Sequence, residues 1–150
     1  MKRHLPIALA LAALTATTQV NAASWIWKYT GDQVAAGGTF TTADQPDSNG
    51  RYAILSIAGQ RNGIAIKALQ PAGTAIPGNA PYKVDNLIVQ SGNKRGNQLS
   101  KAGFGFALAD GTYCNPFGDG GKSTEYLSSR PYKDRAGKET AVSFEARRAP

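Results

Sequence analysis

Histidine is almost missing from this 150-residue chain: its one copy is His4. Residues 1–22 have the layout of a secretory signal peptide. Lys2 and Arg3 precede an apolar run over residues 5–14, and Val20 and Ala22 put small residues at −3 and −1 of a cleavage point. Cleavage after Ala22 leaves a mature chain from Ala23 with no histidine, no methionine and a single cysteine, Cys114. Histidine triads, His-ligated zinc and His-ligated haem are thereby excluded, and neither a metal nor a cofactor is expected. A lone cysteine has no intramolecular partner, and Cys114 stands far from the position a lipid-anchored cysteine would take at the cleavage point. Mid-strand beside small residues, it reads as a buried thiol. Beyond residue 22 no apolar run is long enough to span a membrane. Stability must therefore come from packing and sheet hydrogen bonds.

What remains is enough for one domain over residues 23–150. Seventeen bases less Lys2 and Arg3 leave fifteen against ten acids, a mature charge of +5. The bases are scattered, with no run longer than Lys94-Arg95 or Arg147-Arg148. Such a balance attracts anionic polymers weakly.

The seventeen glycines, the Asn/Asp/Pro turns and the short alternating segments predict an all-β fold of eight or nine short strands. We expect an antiparallel meander, closed as a small β-barrel or folded as a β-sandwich, after an N-terminal signal helix. Trp25, Trp27 and Tyr29 alternate with Ile26, Lys28 and Thr30, which puts three aromatics on one face of a first strand. A short strand follows over residues 38–42. Asn62-Gly63 predicts a two-residue hairpin turn pairing Arg61 with Ile64, Gly59 with Ile66 and Ile57 with Ala68. Leu55, Ile57, Ile64 and Ile66 would then share a face. Asp110-Gly111 predicts a second such turn with Leu108 opposite Tyr113. That register aligns Phe104, Phe106, Leu108, Tyr113 and Phe117 on one face and puts Cys114 on the other, across from Ala107. Further strands are expected near residues 82–90, 124–128 and 141–146. Residues 71–81 form a Pro/Gly/Ala loop, residues 131–138 a charged loop, and residues 91–103 a polar, basic, mobile one.

Asn49-Gly50, Ile57-Ala58-Gly59-Gln60-Arg61-Asn62-Gly63-Ile64, Val84-Asp85-Asn86-Leu87-Ile88 and Phe106-Ala107-Leu108-Ala109-Asp110-Gly111-Thr112-Tyr113 together resemble a group of small exported bacterial β proteins. Many of that group carry PEP-CTERM sorting signals, and it has no assigned activity. The resemblance covers residues 38–117. It implies a β fold and export, and it transfers no catalytic residue. Glu145-Ala146-Arg147-Arg148-Ala149-Pro150 departs from the group in having no sorting motif or hydrophobic tail, which implies release rather than surface anchoring.

Several segments resemble sites. Gly118-Asp119-Gly120-Gly121-Lys122-Ser123-Thr124 looks like a phosphate-binding loop, but Pro116 stands where the pattern needs its first glycine. Gln45-Pro46-Asp47-Ser48-Asn49-Gly50 looks like the front of a calcium loop, but Gln45 and Ser56 stand where acids are needed, so a self-satisfied turn is the plainer reading. No Gly-x-Ser-x-Gly elbow is present. Trp25, Trp27 and Tyr29 suit a core; the alternative is a platform on which sugar rings stack. Asp85 and Asn86 interrupt an apolar strand, so they either satisfy loop backbone or close an Asp–Arg pair, or else face a cavity as ligand contacts. Hydrolysis by paired carboxylates would need Glu125 or Asp110 beside Asp85.

The expected function is that of an exported, non-enzymatic β domain, periplasmic or secreted, binding an envelope or extracellular partner. An acidic polysaccharide or an envelope protein fits, with Trp25, Trp27, Asp85, Asn86, Lys94 and Arg95 as candidate contacts. The alternatives are a small secreted hydrolase using carboxylates, or an inhibitor or immunity protein that inserts residues 91–103 into a partner.

Overall fold

A computed structural model describes residues 21–90 and 96–150. The signal helix expected over residues 1–22 lies, but for Asn21 and Ala22, outside the described residues, as do Lys94 and Arg95. Among the described residues there is no helix, and nine strands form: β1 (Ala22–Gly31), β2 (Val34–Ala43), β3 (Arg51–Arg61), β4 (Ile64–Leu69), β5 (Leu87–Val89), β6 (Phe106–Leu108), β7 (Tyr113–Asp119), β8 (Lys122–Ser128) and β9 (Lys138–Arg148). Eight of them close an antiparallel ring in the order β1-β2-β3-β4-β6-β7-β8-β9, with β9 returning to β1. The ring is a barrel rather than a sandwich. The ninth, β5, pairs with the first residues of β3 outside the ring.

An eight-stranded ring is just wide enough to be filled by side chains. Alternation along β1 turns Trp25, Trp27 and Tyr29 inward and leaves Ser24, Ile26, Lys28 and Thr30 outside. Trp27 sits at the centre. Its ring centroid is 5.8 Å from Tyr29, 5.7 Å from Phe104 and 6.3 Å from Phe40. The glycine pair Gly38 and Gly59 marks a tight approach between β2 and β3. A Cβ on Gly38 would stand 2.0 Å from the Ala58 carbonyl oxygen. The floor of the barrel is covered by β5 and the segment after it: Ile88 and Leu99 join the core, and the Gln98 side chain bonds both the N–H and the C=O of Ala146 at 2.8 Å.

The first hairpin turns as expected, with Arg61 facing Ile64 and both turn residues at positive φ, 48° for Asn62 and 80° for Gly63. Its ladder then ends after two pairs, and β4 pairs with β6 along its other edge. The shared face also changes. A bulge opposite Thr41 and Thr42 takes Leu55 out of register, and it stands 52% exposed. The second hairpin departs by one residue: Phe106, not Ala107, faces Cys114, and Ala107 faces Tyr113. The turn there has three residues, closed by Leu108 N–H to Thr112 C=O at 2.8 Å, with Gly111 at φ 86°. Asp110 stabilises the longer turn by accepting from the Thr112 amide (2.9 Å) and hydroxyl (2.7 Å). A one-residue slip exchanges faces. Cys114 therefore points into the barrel, while Tyr113 turns outward against Tyr132.

The connection from β4 to β5 makes a second layer. It carries Ile76 and Val84, both 1% exposed, over Gly105, where a Cβ would meet their side chains at 2.9 and 3.1 Å. At its turn, Gly78 C=O accepts from the Tyr126 hydroxyl at 2.7 Å, which ties the layer to the outside of β8.

Candidate functional site

Inside the barrel, the end carrying the β3–β4 turn is closed by a polar cluster. Arg61 is the last residue of β3, and alternation turns it inward. Its Nε and Nη2 each donate to Glu125 at 2.7 Å, a two-pronged ion pair with a fully buried carboxylate. The Tyr29 hydroxyl donates to the same carboxylate, and the Cys114 thiol lies against it. The hydrogen bonds that Arg61 donates to Glu125 hold its guanidinium firmly in the charged form. Burial, then the nearby Glu125 charge, pushes the Cys114 thiol well above the ordinary range. Burial likewise raises Tyr29. A protonated thiol and phenol locked in such a cluster are poor nucleophiles.

Among the described residues, the sequence-predicted Trp25 and Trp27 do not come together with Asp85 and Asn86. Trp25 and Trp27 are 0% and 1% exposed, so neither offers an indole face to a ligand in solution. Asp85 accepts from the Leu87 amide at 3.0 Å and the Ser100 hydroxyl at 2.7 Å. Asn86, at φ 54°, donates to Gln70 C=O at 2.7 Å and accepts from the Gly105 amide. Both satisfy loop backbone, the first of the two readings. Asp85 has no contact with Glu125 or Asp110: Glu125 is held by Arg61, and Asp110 by Thr112. Asp47 spends its carboxylate on the amides of Asn49 and Arg51 and on the Arg51 guanidinium, so that segment is the self-satisfied turn. Gly120 and Gly121 form the turn between β7 and β8, and Lys122 opens a strand where a phosphate loop needs a helix. The segment expected as a mobile loop over residues 91–103 instead sends Leu99 into the core from its second half.

A site with room for a ligand lies outside the barrel, between the second layer and the outer faces of β7, β8 and β9. It is a cleft of about 590 Å³, within the ~300–1,000 Å³ of small-molecule sites. Tyr82, Lys83, Lys101 and Arg135 line it, with Asp119 and Glu139 also present. Tyr82 is 53% exposed, and the Arg135 guanidinium carbon lies 4.5 Å from its ring centroid, a cation–π contact. Arg135 lies 5.6 Å from the Tyr126 ring as well. Asp85, through Ser100, and its amide, through Gly103 C=O, pin the segment that presents Lys101. The candidate Asp85 thus stands one step behind the cleft rather than in it.

Sequence reasoning missed Tyr82, Lys83, Arg135 and Glu139 because the cleft arises from docking two loops that are far apart in the chain. One signal was there. Pro-Tyr-Lys occurs twice, at Pro81-Tyr82-Lys83 and Pro131-Tyr132-Lys133, and each tyrosine takes an arginine on its ring. Among the described residues no group of three or more His, Cys, Asp or Glu side chains is placed to hold a metal ion, and no helix is long and apolar enough to cross a membrane. The chain matches no protein-family model, and neither the curated proteins nor the solved structures include one significantly similar to it.

Proposed function

We propose that this chain is an exported, non-enzymatic β-barrel that binds an acidic polysaccharide of the cell envelope or its surroundings. One observation carries the reading: Lys83, Lys101 and Arg135 converge on a single cleft beside a half-exposed tyrosine ring. Against Asp119 and Glu139 in the same lining, these three cations leave the cleft a net charge of +1, so a polyanion is favoured over a neutral polymer, the more so where low-dielectric walls focus the field. An aromatic ring adds an apolar surface on which the C–H faces of a sugar can lie. Lys101 belongs to the same basic segment as Lys94 and Arg95. Export rests on the signal-like residues 1–22. Their removal is compatible with the barrel, since the inward row of β1 begins at Ala23, the first residue that cleavage leaves.

The test is titration of the mature protein with acidic and neutral polysaccharides at two salt concentrations, repeated with Lys83→Ala/Lys101→Ala. Acidic polymer should bind, weaken as salt rises past the ~8 Å screening regime, and weaken further in the variant. Absence of binding to every polysaccharide would overturn the reading and favour an envelope protein as the partner. Polymer cleavage during the titration would favour a hydrolase instead. Export is checked by N-terminal sequencing, which should begin Ala-Ser-Trp-Ile-Trp.

A further inference from the structure

Resting on that reading, we infer that the unit this cleft recognises is a sugar ring bearing a carboxylate, that Arg135 determines this specificity, and that Glu139 holds the carboxylate's place when the cleft is empty. The Arg135 guanidinium carbon lies 4.5 Å from the Tyr82 ring centroid and 5.6 Å from that of Tyr126, cation–π contacts that leave its N–H groups to bond elsewhere. One edge is anchored. Nη1 donates to Asn79 Oδ1 at 3.2 Å, and Asn79 is 2% exposed and bonded to Asn115 Oδ1 at 3.3 Å. The Asn115 amide in turn holds the carbonyls of Ala102 and Phe104 at 3.1 and 3.0 Å. Asn79 is thus a positioning residue that ties the guanidinium back to β7.

The other edge is poorly used. Nη2 reaches Glu139 Oε1 through one bond of 3.4 Å, with both side chains about half exposed. The contrast lies within the same molecule: Arg61 grips Glu125 through two bonds of 2.7 Å. A guanidinium edge matches a planar carboxylate in the two-pronged arrangement, and Arg135 has donors with no partner among the described residues. A ligand carboxylate that displaces Glu139 and bonds twice would complete the match. The exposed Tyr82 ring beside it is placed to take the sugar's C–H face, and Lys83 and Lys101 receive neighbouring charges along the polymer.

The experiment is calorimetric titration of the mature protein with three probes: polygalacturonate, its fully methyl-esterified form, and dextran sulfate. Polygalacturonate should bind, and the ester at least tenfold more weakly. Glu139→Gln should tighten polygalacturonate binding several-fold, because the competing carboxylate is gone. Arg135→Lys should weaken it tenfold or more although the charge is kept, and dextran sulfate should respond less to this change. Glu139 is exposed on the barrel wall, so its variant tests the inference even if Arg135→Lys loosens the loop. Polygalacturonate binding that is lost in Lys83→Ala/Lys101→Ala but indifferent to both Glu139→Gln and Arg135→Lys would overturn this inference and leave acidic-polymer binding standing. Failure of both acidic probes to bind would overturn the two together.

Discussion

Replacing Glu125 with glutamine should unfold this barrel more readily than any surface substitution. The carboxylate is fully buried and accepts from Arg61 Nε and Nη2 and from the Tyr29 hydroxyl. Glutamine keeps the shape but removes the charge, leaving a guanidinium enclosed in the barrel with no counter-ion. Breaking a buried pair in this way costs about 3–5 kcal/mol, a large share of the ~5–15 kcal/mol that holds a domain together. With a urea slope of about 2 kcal/mol per M, the midpoint should fall by roughly 2 M. Trp25 and Trp27 report the transition directly, since both leave a dry core for water on unfolding. Removing both charges is a different perturbation. Arg61→Met/Glu125→Leu abolishes the pair and its desolvation cost together and leaves the Tyr29 hydroxyl as the group without its acceptor, so the double variant should be more stable than the summed losses of Arg61→Met and Glu125→Leu imply. A Glu125→Gln loss below about 1 kcal/mol would refute the reasoning, as would a double variant that merely adds the single losses.

Cys114 should react slowly with a thiol reagent in the folded protein and rapidly in denaturant; prompt native labelling would contradict its burial. Its thiol and the Tyr29 phenol both hold their protons above ordinary values, so unfolding releases protons at alkaline pH. Stability should therefore fall as pH rises past the usual thiol value of about 8.5 and then the phenol value of about 10, and Cys114→Ala should remove the first part of that slope in a pH series of urea melts. At the acid end the sign reverses. Asp110 is held low chiefly by the Thr112 hydroxyl and Asp47 by the Arg51 amide, so their contribution is present above the ordinary value of about 3.9 and lost as pH falls through the folded values. Asp47→Asn/Asp110→Asn should flatten the melting temperature below about pH 4. Gly38→Ala forces a Cβ to within 2.0 Å of a backbone oxygen and should cost about 1–3 kcal/mol or more; an unchanged melting temperature would contradict the close approach of β2 and β3.

Local pattern made an antiparallel all-β fold legible but left barrel and sandwich open. Period-two aromatics placed the inward face of β1, and Asn62-Gly63 placed one turn to the residue. Where the reading slipped, a single extra residue was responsible: Leu55 in the bulge of β3 and the third residue of the turn at Asp110. Hydrophobic alternation says that a face exists, but not on which residue the count restarts. The polar cluster was hidden for a related reason. Arg61, next to an Asn-Gly turn, looks like a solvated turn flank until the ring closes and puts Glu125 opposite it. The cleft was least legible of all. Tyr82 and Arg135 lie in loops with no periodicity, and what joins them is Gly78, where the second layer meets Arg135 N–H and the Tyr126 hydroxyl.

The pairing of β1 with β9, Trp25 opposite Arg148, joins the first described strand to the last. No partial chain can complete that ring. Until β9 emerges, β1 and β8 each keep one edge unpaired, and the row Trp25, Trp27, Tyr29 has no wall on one side. Contacts between distant parts of a chain form slowly, with all-β domains folding in roughly milliseconds to seconds. A chain that has not yet made β9 therefore stays open. The same delay exposes two strand edges and an aromatic stripe to aggregation. A variant truncated before Lys138 should be recovered as aggregate rather than as a smaller barrel.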